Sequence, residues 1–417
     1  MKKDFLSLVL MMFWIYSSAQ INPALLSRQV YHPQVSQVRL LGLTKPLRDT
    51  KPVLSNPSGN KLKQAKEVFN EKEYNPTLNP QALPKGADPL LDRRVHRTSS
   101  DIDTIFTIEG LSDPNIYPPD PCGEIGKNEF IQMTNGGNGT LFQIFDKQGA
   151  SIYGPAFCNT FWTQFGTTGL GDPIVMYDQA ADRWMLSELS NSFSDVLIAI
   201  SQTSDPLGSY YVYDFQTPGL PDYPKYFIWN DGYYFCSNEG SGGSPIYALN
   251  RNDMISGVQS TQLLRWTVPG FSAIGFQLAS GADWDGSNPP PIGSPAYVLR
   301  VYDDAWGGGT DHLEVWELAV NWSSPGSSTL TGPTDLNVTS FDSELCPGFG
   351  YCVTQPSGGN LDVLQQVLMH RVQYRNFGSY ESMLCNHVVD VDGTGNTSGV
   401  RWYELRKSGT DPWSVYQ

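Results

Sequence analysis

Three aspartates, Asp120, Asp172 and Asp222, recur at similar intervals and carry side chains that could do chemistry together. They are spaced by 52 and 50 residues, and each stands close to the start of an apolar segment predicted to be a strand. Repeats arranged around an axis would bring the three carboxylates to one rim, with Asp283 or Asp285 as a fourth. Converging carboxylates need a hard cation such as calcium, or must bind protons. The alternative is that each aspartate caps its own turn.

A second oxygen-rich group is the loop DVDGTGNT, which contains Asp390 and Asp392. Its carboxylates are typical of a calcium-binding loop, although the later Glu of an EF-hand is missing. A tight turn with glycine at positive φ explains the same letters. The loop therefore predicts either a calcium site at Asp390 and Asp392 or a simple turn.

A third candidate group lies in the stretch from 370 to 391. The guanidinium of Arg375 suits a carboxylate, and together with Tyr374 it could bind an acid or a sugar. Glu381 and His387 have the side chains of a general acid and base. We therefore predict ligand binding by Tyr374, Arg375, Glu381 and His387, with a hydrogen-bond network between repeats as the alternative.

Several function classes are disfavoured by the sequence. It has no G-x-S-x-G nucleophile motif, no H-E-x-x-H zinc motif and no phosphate-binding glycine loop. The formal net charge of −15 argues against nucleic acid and anionic membranes as partners.

The elements that must position these residues are short β-strands. The stretch 171–189 predicts a hairpin, with apolar strands at 174–177 and 184–186 joined by a polar turn. Four short strands recur with a period of roughly fifty residues, which is typical of a propeller blade. We predict an all-β fold, a β-propeller of about five four-stranded blades, with an incomplete, open ring as one form of it. A sandwich or jelly roll is the other all-β alternative.

Three segments are predicted along the chain. Residues 1–19 have the charged start, short apolar run and small-residue end of a signal peptide. Residues 20–110 are rich in Pro, Asn and Lys, which predicts a weakly ordered arm. Residues 111–417 form the propeller domain. No later stretch is long and apolar enough to predict a membrane span.

The six cysteines follow a predicted secretion signal, so disulfides are expected. Cys346 and Cys352 are close in sequence and form the predicted pair. Cys122 and Cys158 are a weaker second pair. The remaining two, Cys236 and Cys385, lie in predicted strands and are expected to be buried free thiols.

Several motifs together resemble a family of secreted bacterial (Bacteroidetes-type) hypothetical β-propeller proteins. They are GDPIVMYDQAADRW in 171–184, DYPK in 222–225, YRNFGSYES in 374–382 and GVRWYELR in 399–406. The resemblance extends over about residues 85–417 and implies the fold, but it supplies no catalytic residue. Family members carry Asn where this chain has Cys122, and they continue past the equivalent of Gln417. We therefore expect a fragment with an open propeller.

The predicted function is a secreted or cell-surface propeller that binds a glycan or a protein in an adhesion-type role without catalysis. Calcium is the predicted cofactor. The alternative is a propeller glycoside hydrolase that uses carboxylates on its inner strands, which is an analogy at the level of topology. The candidate catalytic residues are Asp120, Asp172, Asp222 and Glu381.

Overall fold

The computed structural model describes residues 28–53, 78–91, 106–114, 116–137, 139–240, 242–346 and 351–417. Across these residues the chain is almost entirely β-structure, with strands β1 to β22 and two short α-helices. The predicted signal peptide, residues 1–19, lies outside the described residues. No helix in this described part of the chain has the length and apolar character needed to cross a membrane.

Twenty strands form five antiparallel groups of four, and the strands of each group follow one another in the chain. Blade 1 consists of β3 (Cys122–Ile125), β4 (Glu129–Gly136), β5 (Gly139–Asp146) and β6 (Ser151–Phe157). Blade 2 consists of β7 (Gly169–Asp178), β8 (Arg183–Ser190), β9 (Asp195–Ser201) and β10 (Tyr210–Gln216). Blade 3 consists of β11 (Asp222–Ile228), β12 (Gly232–Asn238), β13 (Gly243–Asn250) and β14 (Ser260–Pro269). Blade 4 consists of β15 (Ser280–Asp285), β16 (Ala296–Tyr302), β17 (His312–Ala319) and β18 (Thr329–Asn337). Blade 5 is β19 (Val372–Asn376), β20 (Glu381–Asp390), β21 (Ser398–Lys407) and β22 (Ser414–Val415). The helices are α1 (Asn159–Trp162) and α2 (Arg251–Ser256).

The first strands of the five blades lie side by side. Strand β7 contacts both β3 and β11, and β11 contacts β15. Strands β15 and β19 pair in parallel, with Ala282 opposite Val372. Because every blade turns its first strand toward the same line, these strands line the axis of a five-bladed β-propeller. The predicted fold class and blade count are confirmed.

The hairpin predicted at 171–189 is formed by β7 and β8. Tyr177 lies opposite Trp184 in the register, and the two rings are 4.9 Å apart. One carboxylate oxygen of Asp178 accepts two backbone N–H bonds from the turn, at 3.1 and 2.9 Å. An aromatic cross-strand pair and a capped turn explain why this stretch forms a hairpin.

The blades pack through both faces because successive residues of a strand point to opposite sides of the sheet. In β7, Tyr177 belongs to the core between blades 1 and 2, and Met176 belongs to the core between blades 2 and 3. In β12, Phe235 packs toward blade 2, while Tyr234 packs toward blade 4. The strands are therefore apolar on both faces, which fixes the positions of the residues at their ends.

Two further strands come from the segment predicted to be a weakly ordered arm. Strand β1 (Gln29–Tyr31) pairs with β18 at the outer edge of blade 4. Strand β2 (Gln34–Leu43) lies between β10 of blade 2 and β14 of blade 3, and buries Val38 and Leu40. The prediction of loose packing is wrong for these strands, because unpaired outer edges of blades offer backbone groups that a strand can satisfy.

Blade 5 has one apolar face that no other blade covers fully. Met383 and Cys385 of β20 pack in the core shared with blade 4. On the opposite face, Leu384, Val400 and Trp402 are 41%, 69% and 50% exposed. In a tightly closed ring this face would pack on blade 1, so its exposure is consistent with the predicted open ring.

Candidate ligand-binding site at the end of the propeller axis

The carboxyl ends of the inner strands surround a small cavity, which we call the axial pocket. Glu124 of β3, Asp178 of β7 and Ile228 of β11 line it, together with 283–286 and Arg371. Its volume is about 30 Å³, which is enough for a water molecule and too small for a sugar ring. All five blades thus contribute to one polar pocket on the axis.

Arg371 is the central cation of the axial pocket. It directly precedes β19, whose parallel pairing with β15 brings the guanidinium beside Asp283 and Asp285. One guanidinium nitrogen donates to Asp283, and another donates to both oxygens of Asp285 at 3.0 and 3.1 Å. Asp283 also accepts the backbone N–H of Ile228 at 2.8 Å. One arginine therefore holds two carboxylates of blade 4 at the edge of blade 5.

The carboxyl groups of the axial pocket outnumber its cations. Burial raises the pKa of Asp283 to about 7, although the charge of Arg371 acts in the opposite direction. Burial also raises the pKa of Glu124, and the charge of Asp285 adds to that effect. Asp178 has a separate partner, the buried Arg251, at 2.6 and 2.9 Å. Glu124, Asp283 and Asp285 consequently share the single charge of Arg371.

A larger cavity, which we call the vestibule, opens above the axial pocket. It has a volume of about 490 Å³, and the two cavities share Tyr177, 179–180, Trp284 and Gly286. The indole N–H of Trp284 donates to the carbonyl of Asn288 at 2.9 Å, which fixes the orientation of the ring. An open cavity of this size with aromatic walls and a few polar groups has the features of a small-molecule or sugar site.

The predicted aspartates Asp120, Asp172 and Asp222 lie at the opposite end of the axis. The amide of Asn135 donates to the carboxylate of Asp120 at 3.0 Å and accepts the backbone N–H of Asp172 at 2.9 Å. Burial raises the pKa of Tyr223 to about 12, and the charges of all three aspartates contribute in the same direction. The structure therefore brings the three together, and we call them the aspartate cluster.

The aspartate cluster has a protein cation beside it. The ammonium nitrogen of Lys225 lies 3.4 Å from the centroid of the Tyr223 ring. Its charge also acts on Cys122, whose pKa burial raises to about 11. A lysine at this position supplies positive charge that a bound calcium ion would otherwise provide. Calcium binding by Asp120, Asp172 and Asp222 stays a prediction.

The loop with Asp390 and Asp392 has the geometry of a turn. Asp390 accepts backbone N–H bonds from Asp392, Gly393 and Gly395 at 3.1, 3.1 and 2.6 Å. Asp392 accepts the hydroxyl of Thr394 at 2.6 Å, and this bond lowers the pKa of Asp392 to about 2. Carboxylates that face the N–H groups of their own loop favour the turn interpretation over the calcium loop.

The predicted ligand-binding group at 374–387 is divided between two faces and two ends of blade 5. Tyr374 is buried and donates to Glu381 at 2.5 Å, whereas Arg375 is exposed on the other face. His387 is buried and lies 3.1 Å from the hydroxyl of Tyr403. Glu381 and His387 are six positions apart on one strand, roughly 20 Å. They cannot act as an acid–base pair, and the alternative of an internal network describes them better.

Of the six cysteines, two form a disulfide and four are free thiols. Cys346 and Cys352 are bonded, with their Cα atoms 5.1 Å apart, which confirms the predicted pair. The predicted second pair of Cys122 and Cys158 is wrong, because both are free and the thiol of Cys122 donates to the carbonyl of Pro173 at 3.2 Å. The last two, Cys236 and Cys385, are buried free thiols, as predicted.

One further carboxylate group, Asp303, Asp304 and Asp311, has oxygen atoms within 4.8 Å of one another. Asp303 accepts the backbone N–H of Ser343 at 2.9 Å, and Asp311 accepts that of Phe341 at 2.8 Å. These bonds fasten the 341–343 segment to blade 4. We therefore interpret the group as structural.

The sequence patterns did not identify the residues that line the axial pocket, chiefly Arg371, Glu124 and Trp284. They named Asp283 or Asp285 as a fourth carboxylate, and both lie in the pocket, at the end opposite to the aspartate cluster. The alternation Asp283, Trp284, Asp285 at the end of a strand was a usable signal. Arg371 gave none, because its position depends on a parallel pairing between strands that are far apart in the chain.

The fold and site define a five-bladed β-propeller with a polar pocket at one end of its axis. No family model matches the chain, and no curated protein matches it in sequence. Among solved structures, it is similar to the GH43 protein BlXynB of Bacillus licheniformis, at 13% identity and a TM-score of 0.31 over 71% of this chain and 54% of that chain.

Two other solved structures match in the same range. The α-L-arabinanase of Cellvibrio cellulosa, in complex with arabinohexaose, is 12% identical, with a TM-score of 0.25 over 71% of this chain and 94% of that chain. The endo-arabinase of Bacteroides thetaiotaomicron is 13% identical, with a TM-score of 0.30 over 58% and 78%. The chain spans about half (54%) of the length of the BlXynB structure. At these values the similarity carries no argument about activity.

Proposed function

We propose that the protein is a secreted or cell-surface propeller that binds a glycan in the vestibule without cleaving it. The observation that supports this most directly is the position of Trp284, which forms a wall of an open cavity of about 490 Å³ at the end of the axis. The predicted signal peptide and the resemblance to secreted bacterial propellers support an extracellular location.

The vestibule has the groups that a sugar needs. Trp284 offers apolar ring surface on blade 4, the largely buried Tyr177 of blade 2 lies in the cavity wall, and Lys127, Gln179 and Ser287 add polar groups around the opening. The rings are held by their own hydrogen bonds, Trp284 to Asn288 at 2.9 Å and Tyr177 to Asp182 at 2.5 Å. A ligand therefore meets surfaces that are already ordered, which lowers the entropic cost of binding.

The carboxylates beneath the vestibule are poorly arranged for hydrolysis. Glycoside hydrolysis needs two carboxyl groups on either side of the scissile bond. Here Asp283 and Asp285 are both bonded to Arg371, and the axial pocket that contains them has only about 30 Å³. A sugar in the vestibule would lie beside these groups and not between them.

One observation favours the second candidate function, a glycoside hydrolase. Burial raises the pKa of Glu124, and it raises the pKa of Asp283 to about 7, so the Asp283 carboxyl can hold a proton near neutral pH. A protonated carboxyl is the general acid of glycoside hydrolysis. Release of reducing ends from a bound glycan would support this candidate, and a bound glycan that stays intact would support binding alone.

The test uses the full chain and a panel of neutral, acidic and amino-sugar oligosaccharides. We expect at least one of them to bind, and Trp284→Ala to weaken its binding by about tenfold or more, since a central tryptophan commonly contributes 1.4 kcal/mol or more. Trp402→Ala is the matched control, because Trp402 is an exposed tryptophan on blade 5, away from the vestibule. Equal losses in both variants would contradict the proposed site.

A further inference from the structure

Two neighbouring rows of side chains cross one face of blade 4. Tyr302 of β16 lies opposite His312 of β17, and Arg300 lies opposite Glu314. Glu314 in turn lies opposite Asp335 of β18. Because residues two apart on a strand point to the same face, this register brings an imidazole and two carboxylates together. Their ligand atoms lie within 4.8 Å of one another, and we call His312, Glu314 and Asp335 the His–Glu–Asp group.

The imidazole of His312 is held in the tautomer that a metal ligand needs. Its Nδ1 lies 2.7 Å from the backbone carbonyl of Thr310, and Nδ1 donates because a carbonyl oxygen can only accept. In the neutral ring the lone pair is then on Nε2, which lies 3.7 Å from a carboxylate oxygen of Asp335. The ring also stacks on Tyr302, with 4.5 Å between the centroids. A histidine fixed in this way by a carbonyl is the usual arrangement of a metal-binding imidazole.

Glu314 is a buried carboxylate that keeps one oxygen available. Its side chain is only 7% exposed. Among the residues that the structure describes, its hydrogen bonds all go to Oε2, from two guanidinium nitrogens of Arg300 and from the indole N–H of Trp316 at 3.0 Å. These bonds fix the carboxylate and leave Oε1 for a ligand. Asp335 is 54% exposed, so its side chain can adjust toward the other two.

The donor set fits a divalent transition metal better than calcium. One imidazole nitrogen and two carboxylates are zinc ligands, whereas calcium takes oxygen ligands. Two ligand atoms of a tetrahedral zinc ion stand roughly 3.4 Å apart, so the 3.7 Å between His312 and Asp335 needs little change. With the imidazole neutral, Arg300 is the cation that pairs with the two carboxylates in the described part of the chain. One negative charge is therefore left to attract the ion.

We propose that His312, Glu314 and Asp335 bind a divalent transition metal ion, with zinc as the best match. The His–Glu–Asp group shares no residue with the vestibule or the aspartate cluster, so this inference goes beyond the proposed function. The ion crosslinks β17 and β18, and β18 also pairs with β1. Metal binding thus fastens the outer part of blade 4, to which the N-terminal strand is attached. Three protein ligands leave a fourth position for water.

The experiment measures zinc chloride binding to the untagged full chain by calorimetry, after treatment with chelator and removal of the chelator. We expect Asp335→Asn to weaken zinc binding at least tenfold, because one ligand is lost and the exposed position leaves the fold intact. His312→Gln should have a similar effect, and the double variant should lose little more, since both residues serve one ion. Asp411→Asn is the matched control, an exposed aspartate just before β22, and it should leave the affinity unchanged.

A second readout reports whether these residues act as ligands. Cobalt(II) chloride added to the chelator-treated chain should give the visible absorption of a low-coordinate site with a nitrogen ligand. The bands should be lost in His312→Gln, remain in Asp411→Asn, and disappear when zinc displaces the cobalt. Zinc should also raise the melting temperature of the original chain more than that of Asp335→Asn, by mass action.

The outcomes separate this site from the others. Absence of zinc binding overturns the inference, and equal affinity in the original chain, Asp335→Asn and His312→Gln means adventitious binding elsewhere and overturns it as well. If Asp172→Asn weakens zinc binding and Asp335→Asn does not, the ion belongs to the aspartate cluster and this inference fails. Calcium that displaces zinc at equal concentration contradicts a nitrogen ligand. Glycan binding in the vestibule is measured separately, so either proposal can fail without the other.

Discussion

At the scale of single residues, the propeller places several ionisable groups where water cannot reach them. Glu188 of β8 is the clearest case, since it is completely buried between blades 1 and 2 and accepts the indole N–H of Trp162. Hydrogen bonds from Trp162 and Thr140 act to lower its pKa, but they do not offset the burial. Burial raises the pKa of Glu188 from 4.5 to about 8, so this carboxyl keeps its proton in the folded protein at neutral pH.

The buried Glu188 predicts a specific dependence of stability on pH. In the unfolded chain the carboxyl ionises near pH 4.5, whereas the folded protein keeps the proton until about pH 8. Folding therefore binds a proton between these values, and the free energy of unfolding falls as pH rises from about 4.5 to 8. We expect Glu188→Gln to remove this loss, which amounts to a few kcal/mol.

Urea unfolding of the original chain and of Glu188→Gln, measured between pH 5 and 8, checks this prediction. The stability difference between the two proteins should grow in favour of the variant as pH rises. Glu109→Gln is the control, because Glu109 is exposed. A difference that stays constant with pH would contradict a buried, protonated Glu188.

Arg371 gives the second prediction at this scale. Removing it leaves Asp283 buried, with the backbone N–H of Ile228 as its remaining donor among the residues that the structure describes. We expect Arg371→Ala to lower the free energy of unfolding by about 1–3 kcal/mol, since the guanidinium bonds are lost and the buried Asp283 is left with an unsatisfied oxygen or must take up a proton. Arg371→Ala combined with Asp283→Asn should recover part of the loss. Arg375→Ala, which changes an exposed arginine on β19, should shift the urea midpoint very little.

At the scale of elements, β2 is the strand that matters most to the neighbouring blades. Its two edges pair with β10 and β14, so the outer strands of blades 2 and 3 become parts of one continuous nine-stranded sheet. Val38 packs in the core between these blades and is only 4% exposed. The strand thus fills the gap between the outer edges of blades 2 and 3, whose inner strands β7 and β11 contact each other near the axis.

This position predicts that β2 is required for the stability of blades 2 and 3. Val38→Asp buries a charge without a partner, and we expect a loss of several kcal/mol in the free energy of unfolding. Ser36→Asp is the matched control, because Ser36 lies on the same strand and is exposed. Thermal melting measures both variants, and a similar melting temperature for the two would mean that β2 packs only loosely.

The elements also show which parts of the structure the sequence could predict. The β7–β8 hairpin could be predicted because aromatic strands flank a polar turn that Asp178 caps locally. Strand β2 could not, because its partners begin more than a hundred residues later and the stretch around it is rich in Pro, Asn and Lys, although half of its own ten residues are Val or Leu. The same limit applies to Arg371, whose partners belong to another blade. Local contacts leave a pattern in the sequence, whereas contacts between distant segments do not.

At the scale of the whole molecule, the described N-terminal residues touch all five blades. Strand β1 extends blade 4, β2 joins blades 2 and 3, and the carbonyl of Val53 accepts the N–H of Phe157 in blade 1 at 2.8 Å. Asp88 forms a buried ion pair with Arg401 of blade 5. The propeller is therefore held together around its outside as well as along its axis.

The aspartate cluster gives a prediction about the whole molecule, since Asp172 and Asp222 lie on the inner strands of blades 2 and 3 and Asp120 stands just before that of blade 1. A calcium ion bound by Asp120, Asp172 and Asp222 would tie these blades together and raise the melting temperature by mass action. We expect a higher melting temperature in millimolar calcium than in chelator, and a smaller difference for Asp172→Asn. Identical melting curves would leave Lys225 as the cation of the cluster.

The position of β2 also has a consequence for the order in which the chain is made. A ribosome finishes β2 at Leu43 and reaches β14 at Ser260 only after roughly 10–40 s at ordinary rates of synthesis. For most of that interval neither edge of the strand has a partner. Strand β10 of blade 2 then becomes available for one edge, and the other edge stays open until β14 is made. Strand β2 is thus synthesised before the strands of all five blades, but its second edge is paired only after β14 of blade 3 has been made. A newborn chain must therefore keep β2 away from other strand edges, including those of neighbouring chains, until blade 3 has emerged.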